Sequence, residues 1–387
     1  MFFNTLEYIV FFLTTFLVYW LVTPQKYRKN ILILFGFLFY FIAGQLVRVF
    51  VFGLDILVFY IGKLLFKYKE GEKKRKTAFI IGLVSVVGSL VFFKYTNMLI
   101  GIIEQISGKD LPMLNIAMPV GISFFTFEFI HYLTDIYYGK IKPHSFKDFL
   151  FFSFFYPTLV SGPIKRFQVF IESFEKLTVQ SFFQGILIVF LGYFYKFVIA
   201  DSLLPLTEIL SNPQAGDQYT IGLSLYAYNF RLFFDFAGYS LIAIGCALLL
   251  GWQVPKNFDK PFISSNPSEF WKRWHMSLGS WIRDYIYIFL GGSRRGVVRT
   301  AFNLVLIMAI FGLWHGAGLN FLVWGVYHGI GLAVYHVFFK KLKLSNPAFK
   351  ALGIVFTFNF IVFGWVFFAT NSLSDSFIAI GKLFYLM

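Results

Sequence analysis

The stretch TAFNLVLIMAIFGLWHGAGLNFLVWGVYHGIGLAVYHVFF, residues 300–339, contains no Asp, Glu, Lys or Arg. A helix needs about 17–25 apolar residues to cross a bilayer, so the stretch is long enough for two crossings. They meet at GLWHGAGLN, giving windows 300–316 and 319–339. Besides the phenols of Tyr327 and Tyr335, its titratable side chains are the imidazoles of His315, His328 and His336. An ionisable group inside a span is costly, normally faces protein or a water-filled cavity, and marks function.

The rest of the chain has the same character. Of 387 residues, 58% are hydrophobic and 14% charged, with 56 Phe, which excludes the soluble and disordered classes. Further apolar windows lie at 8–24, 31–47, 50–66, 78–93, 117–133, 182–199, 219–250 (one or two spans) and 350–368. The expected fold class is an all-α polytopic integral membrane protein with about nine to eleven transmembrane helices, plus re-entrant and amphipathic helices. Region 149–163 is too short, and too broken by Pro157, Gly162 and Pro163, for a span. It reads as a re-entrant element, since non-helical backbone at membrane depth must be sheltered from lipid. The first residues, MFFNTLEYIVFF, lack a basic n-region and read as a retained helix, not a cleaved signal peptide. We read one membrane domain over 1–387, with N-terminal helices (1–116), a core carrying the sequence motifs (117–339) and C-terminal helices (340–387).

The formal charge of +15 comes from Lys and Arg in short loops. Retention of positive loops on the cytoplasmic side explains them before nucleic acid does, so the partner expected of the bulk surface is the lipid bilayer. The runs QKYRKN (25–30) and KYKEGEKKRK (67–76) are separated by two windows and belong on one side, which places the N-terminus outside. Lys165 with Arg166, SRRG (293–296) and KKLK (340–343) are further basic clusters that the windows do not orient. A basic face also attracts phosphate-bearing cofactors and acidic proteins. The single cysteine, Cys246, sits in an apolar helix, so neither an intramolecular disulfide nor a thiol metal site is expected. There is no Gly-rich phosphate loop, G-x-S-x-G elbow or H-E-x-x-H pair, and no metal or bound cofactor is expected. No internal repeat with paired broken helices is present, which argues against a secondary transporter.

His275 lies in NPSEFWKRWHMSLGSWIRDYIYIFLGGSRRG (266–296). Read as one helix from Ser268 to about Leu290, its Trp271, Trp274, Leu278, Trp281, Ile282 and Tyr285 recur at helical steps. Lys272, Arg273, Ser277, Ser280, Arg283 and Asp284 fall on the other face, and of this segment Trp271, Trp274, Arg273, Ser277, Trp281, Arg283 and Asp284 stand as candidates for lining or supporting a substrate tunnel, as does Trp314. One reading is an interfacial helix with Trp anchors and snorkelling Arg. The other sets His275 on the aromatic face, in a pocket lined by three tryptophans.

His315 follows Trp314 and stands among Gly312, Gly316 and Gly318, which permit close helix packing or close approach of a substrate. Its bland role is one interhelical hydrogen bond; its functional role is a neutral imidazole acting as general base. His328 stands as a further lining residue for the same cavity. Of the others, His131 shares a helix face with Glu128 and Asp135 and reads as a structural hydrogen bond, His144 as solvated and His336 as interfacial. In FRLFFDFAGYS (230–240), Arg231 and Asp235 are four apart, an ion pair in one reading. In the other, Asp235 lines the cavity or orients a partner.

The combination of EFWKRWHMSLGSWIRDYIYIFLGG, FGLWHGAG and FFDFAGYS resembles the bacterial branch of the membrane-bound O-acyltransferase family. Further matches are MPVGISFFTF (118–127), SGPIKRF (161–167) and VPKNFDKPF (254–262), so the resemblance covers most of the chain from about residue 118. It implies helices ringing a thinned centre, with a tunnel linking cytosol to the outer face. It implies that His315 matches the proposed catalytic histidine and His275 a second functionally important one. MPVGISFFTF, GGSRRG, GLWHGAG and GWVFFATNSLSDSF look like alginate and peptidoglycan O-acetyltransferase membrane subunits. FFYPTLVSGPIKR and FFDFAGYSL look more like the membrane protein of teichoic-acid D-alanylation. The chain reaches Met387 soon after GWVFF, whereas proteins of the alginate type usually continue through further helices.

The implied reaction moves an acyl group, acetyl first and D-alanyl as the alternative, from a cytosolic thioester to a hydroxyl outside. The donor is acetyl-CoA or another acyl-CoA, or the phosphopantetheine thioester of an acyl carrier protein. The acceptor is an extracytoplasmic acyltransferase partner protein or a cell-envelope polysaccharide. His315 would take the hydroxyl proton, while His275 or a nearby donor would orient the thioester or stabilise the oxyanion. The location implied is the bacterial inner membrane. A transporter or flippase using His315 in a proton relay is the rival class.

Overall fold

The computed structural model describes residues 5–42, 47–160, 162–340 and 346–385. Of the segments singled out above, Ser161 and most of the KKLK cluster lie outside the described residues, as does the end of window 31–47. The chain is almost entirely helical. Among the described residues the only strand-like feature is one antiparallel bridge between Phe258 and Trp274.

Among the described residues, seven helices are long and apolar enough to span a bilayer: Val47–Lys67, Lys73–Ser107, Val179–Ser211, Gln218–Leu249, Val297–His315, Leu319–Phe339 and Pro347–Ala369. Leu6–Val22 is a shorter apolar helix, and the windows 31–47 and 117–133 appear as the 15-residue Arg28–Ile42 and the 16-residue Ile122–Tyr137. Window 219–250 is one unbroken helix of 32 residues.

The chain divides into two compact units, Met1–Tyr193 with Tyr239–Pro255, and Phe194–Gly238 with Lys256–Met387. The first is built on phenylalanine. The short helix Phe146–Ser153 is capped by Ser145, whose side chain accepts from the Asp148 N–H. It leads into a single turn, Tyr156–Thr158. Phe149, Phe151, Phe152, Phe154, Phe155 and Tyr156 are all fully buried, so this non-spanning element is sheltered by protein, as its broken sequence requires.

Charge is buried beside it. Lys165 Nζ lies 2.5 Å from Glu128 Oε1 and 4.6 Å from the Phe152 ring centroid. His131 accepts from the Phe167 N–H through Nε2 at 2.9 Å, and its Nδ1 stands 3.5 Å from Asp135 Oδ2. This is the structural role expected of His131. Asp135 also accepts from Lys140 and Gln168. His144 is half-buried and not solvated: Tyr132 Oη lies 2.9 Å from its Nε2, and the Phe167 ring packs 4.2 Å away. The short connection 138–145 folds back onto its own helix, which a polar loop sequence does not reveal.

The second unit is organised by the pair Val297–His315 and Leu319–Phe339. Their backbones touch at glycines. A Cβ on Gly312 would collide with the Phe321 carbonyl, one on Gly325 with the Met308 carbonyl, and one on Gly329 would stand 2.6 Å from Val305 Cα. Small residues let spans approach closely where apolar burial offers no drive between helices in lipid. Gly316 is taken up the same way, against the Phe321 ring. Of the two uses open to these glycines, helix packing is the one observed. Asn320 ties the pair to Pro347–Ala369, donating to the carbonyls of Phe367 and Thr370 at 3.1 Å each.

Candidate active site

The expected helix from Ser268 to Leu290 is not continuous. It starts one residue earlier, at Pro267, with Asn266 as the cap whose side chain accepts from the Glu269 N–H. It runs to Arg273, resumes at Met276–Ile282 and continues as a π-helical turn, Arg283–Tyr287. Between the helices His275 adopts a left-handed backbone, φ +47° and ψ +53°. The cause lies outside the segment. Residues 257–259 run antiparallel to 273–276, so the Met276 N–H donates to the Asn257 carbonyl at 2.9 Å and the Asp259 N–H to the Arg273 carbonyl at 3.0 Å. These bonds replace helical ones, and periodicity along the segment carries no sign of them.

The break turns His275 into a cavity of about 490 Å³ within the second unit. The wall is mostly apolar, from Leu278, Ile307, Met308 and Phe311 with the rings of Trp271, Trp274 and Trp324; its ionisable nitrogen groups are His275, His315, Lys272 and Arg283, and Ser268, Ser280 and Tyr287 add hydroxyl-bearing side chains. His315 ends the Val297–His315 helix. Its ring stands edge-on to Trp314 at 4.6 Å, to Phe368 at 5.1 Å and to Trp324 at 5.3 Å. His275 is buried at 6% exposure, against the Phe236 ring at 4.6 Å. Burial first, and His315 second, push its pKa down to about 3, so it is a neutral imidazole at cellular pH.

The structure therefore brings His315, His275, Trp271, Trp274 and Arg283 to one cavity and leaves the other expected residues off its wall. Ser277 donates instead to Asn257 Oδ1 at 2.6 Å. Arg273 pairs with Glu269 at 2.8 Å, fastening its own short helix. Trp281 is buried against Tyr285, and Asp284 accepts from Arg283 Nε at 2.8 Å. Asp235 pairs with Lys196 at 2.7 Å, while Arg231 donates to Thr207, so the expected Arg231–Asp235 pair gives way to a cation from another segment.

His328 sits one layer behind the wall. It is fully buried, with Trp324 at 5.0 Å and Trp271 at 5.1 Å between it and the space. Neither of its ring nitrogens has a hydrogen-bond partner among the described residues. Gly364 leaves it room, since a Cβ there would stand 2.6 Å from Nε2. Residues that sequence reasoning missed are Asn257, Lys272 and Trp324 as parts of the site. Asn257 stood within a noted motif, VPKNFDKPF, in which nothing set it apart from the polar residues around it. Among the described residues no three His, Cys, Asp or Glu side chains converge to hold a metal.

A helical membrane protein with two imidazoles in one aromatic cavity has the means for proton transfer at a sheltered carbonyl. The model of MBOAT, the membrane-bound O-acyltransferase family, matches residues 8–373, and the chain belongs to that family. It is a multi-pass membrane acyltransferase. It is 35% identical over 392 residues to "Probable alginate O-acetylase AlgI" of Pseudomonas aeruginosa, covering 96% of this chain and 73% of that one. To the "Peptidoglycan O-acetyltransferase" of Helicobacter pylori it is 31% identical, over 97% of this chain and 78% of the relative. To the "Teichoic acid D-alanyltransferase" of Streptococcus thermophilus it is 33% identical, over 79% and 78%.

Proposed function

We propose that this enzyme transfers an acetyl group from a cytosolic thioester to a hydroxyl on the far side of the bacterial inner membrane, with His315 as general base. The observation that supports this reading is the cavity itself, where two imidazoles and two cations meet inside a mostly apolar wall. Relatives named for O-acetylation of alginate and of peptidoglycan support the acetyl group and a cell-envelope acceptor.

In the reaction, the acceptor hydroxyl gives its proton to the His315 imidazole as its oxygen attacks the thioester carbonyl. Collapse of the tetrahedral intermediate breaks the C–S bond, and the proton passes to the departing thiolate. Ester and thiol are the products. An apolar, aromatic wall keeps water from competing with the hydroxyl, and holding donor and acceptor in one cavity supplies the proximity contribution. Lys272 and Arg283 carry the positive charge that attracts a phosphate-bearing donor, acetyl-CoA or a phosphopantetheine arm on a carrier protein. The hydroxyl belongs to an extracytoplasmic partner protein or to the polysaccharide.

D-alanyl transfer to teichoic acid is the second reading, favoured by the relative of that name. Purified protein given labelled acetyl-CoA or a labelled D-alanyl carrier protein, with a candidate polysaccharide present, separates the two. Acetyl ester formation that falls about 10²–10⁴-fold in His315→Ala is the expected result, the span typical of a lost general base. Turnover of the D-alanyl donor alone would transfer the protein to the second reading. An active His315→Ala would remove the histidine from its role.

A further inference from the structure

His275 is held by atoms from another segment. Its left-handed backbone is costly for a residue with a side chain and persists only where the surroundings over-determine it. The two backbone bonds to residues 257–259 and the Phe258–Trp274 bridge do so. The same Asn257 also sends its side chain to the ring. Its Oδ1 lies 3.3 Å from His275 Nδ1 and 2.6 Å from Ser277 Oγ. Asn257 is 1% exposed and Ser277 4%, so these are interior contacts that water does not replace. An amide oxygen only accepts. Ser277 donates to it, and His275 meets it through a nitrogen that must therefore carry a proton. In a neutral imidazole with hydrogen on Nδ1, Nε2 holds the lone pair.

We propose that Asn257 is a positioning residue that locks His275 in its Nδ1–H tautomer, so that His275 serves the cavity through Nε2 as a hydrogen-bond acceptor and not as an oxyanion donor. The functional half of this inference rests on the acyl-transfer reading. In that reading an acceptor nitrogen orients a group bearing N–H or O–H, such as the amide of a pantetheine arm or the incoming hydroxyl. The oxyanion is left to other donors. The other titratable and charged groups on the same cavity wall are His315, Lys272, Arg283 and the phenol of Tyr287. None of them supplies a negative charge that would make His275 an imidazolium.

The test begins with the tautomer itself, which is read without any transfer assay. Protein with ¹⁵N-labelled histidine in lipid nanodiscs, with His275 assigned by its loss in His275→Asn, should show Nδ1 protonated and Nε2 bare from pH 8 down to 5. Asn257→Ala should show averaged shifts from two exchanging tautomers, while Ser277→Ala, which leaves the Nδ1 contact, should keep the wild-type pattern. Asn257→Asp keeps the acceptor oxygen and adds a charge. It should hold the tautomer and raise the pH at which His275 protonates by about one unit or more.

In the transfer assay, Asn257→Ala should lower kcat about 10–100-fold, the range for a lost orienting partner, with KM for the labelled donor nearly unchanged. Asn257→Asp should move the acidic limb of the pH profile upward. A wild-type spectrum with Nε2 protonated would overturn the proposal, and so would an Asn257→Ala spectrum and pH profile that coincide with wild type. If wild type transfers nothing, the acyl-transfer reading fails while the spectra still decide the tautomer.

Discussion

At the scale of the residue, His275 and His315 meet the same cavity in different surroundings. His315 closes a helix and meets the cavity with Trp314, Trp324 and Phe368 edge-on around it. His275 is sealed on its Nδ1 side, and burial holds it neutral down to about pH 3. In the unfolded chain a histidine protonates near 6.5. Between those values the unfolded state binds a proton that the folded state refuses, so stability contributed by neutral His275 is intact above pH 6.5 and lost as pH falls below it. The slope for one group is about 1.4 kcal/mol per pH unit, so roughly 2 kcal/mol is at stake by pH 5 as an upper figure. Wild-type protein in detergent should therefore lose melting temperature faster than His275→Asn between pH 7 and 5. Parallel curves would show that His275 is not held neutral. The sequence made both histidines visible, because an imidazole among apolar residues stands out. Asn257 was not visible as their neighbour. Its partner is 18 residues away and reached by a backbone bridge, and no periodicity links them.

At the scale of the element, hydropathy found the helices and missed what interrupts them. The window 300–339 became two spans turning at GLWHGAGLN, because nothing outside the stretch competes for its backbone. The amphipathic stretch 268–290 was read as one helix because its side-chain spacing fits one. Residues 257–259 take over its hydrogen bonds at 273–276 instead, and a segment read alone carries no record of that. The glycines were legible as small and not as assigned to packing. Gly325→Ala should cost about 1–3 kcal/mol, since its Cβ meets the Met308 carbonyl and no side-chain rotation can relieve a backbone clash. Gly53→Ala, with nothing within 4 Å, is the matched control and should leave the melting temperature in place. Equal melting temperatures for the two variants would refute the close approach of the helix pair. The buried Lys165–Glu128 pair makes the complementary prediction. Lys165→Met leaves a carboxyl group without its cation among phenylalanines, a loss of about 3–5 kcal/mol for a broken buried pair. Lys165→Met with Glu128→Gln should recover most of it. No recovery in the double variant would mean that the pair is not what stabilises the unit.

At the scale of the whole molecule, composition and hydropathy were enough for a multi-pass membrane protein, and the ordered series of motifs was enough for the family. Motif resemblance named His315 and His275 before their cavity was seen. Arg273, Ser277, Trp281, Asp284 and Asp235 were candidates for lining or supporting the tunnel, and tertiary structure gives each a partner and leaves each off the cavity wall. The central claim is vectorial acyl transfer that depends on one imidazole. The measurement is made on vesicles of purified protein loaded with labelled acetyl-CoA inside and offered a cell-envelope polysaccharide or partner protein outside. The account predicts label in ester linkage on the outer acceptor with wild type and its loss with His315→Ala. Label that stays on the inner side, or that appears outside with His315→Ala as fast as with wild type, would contradict it.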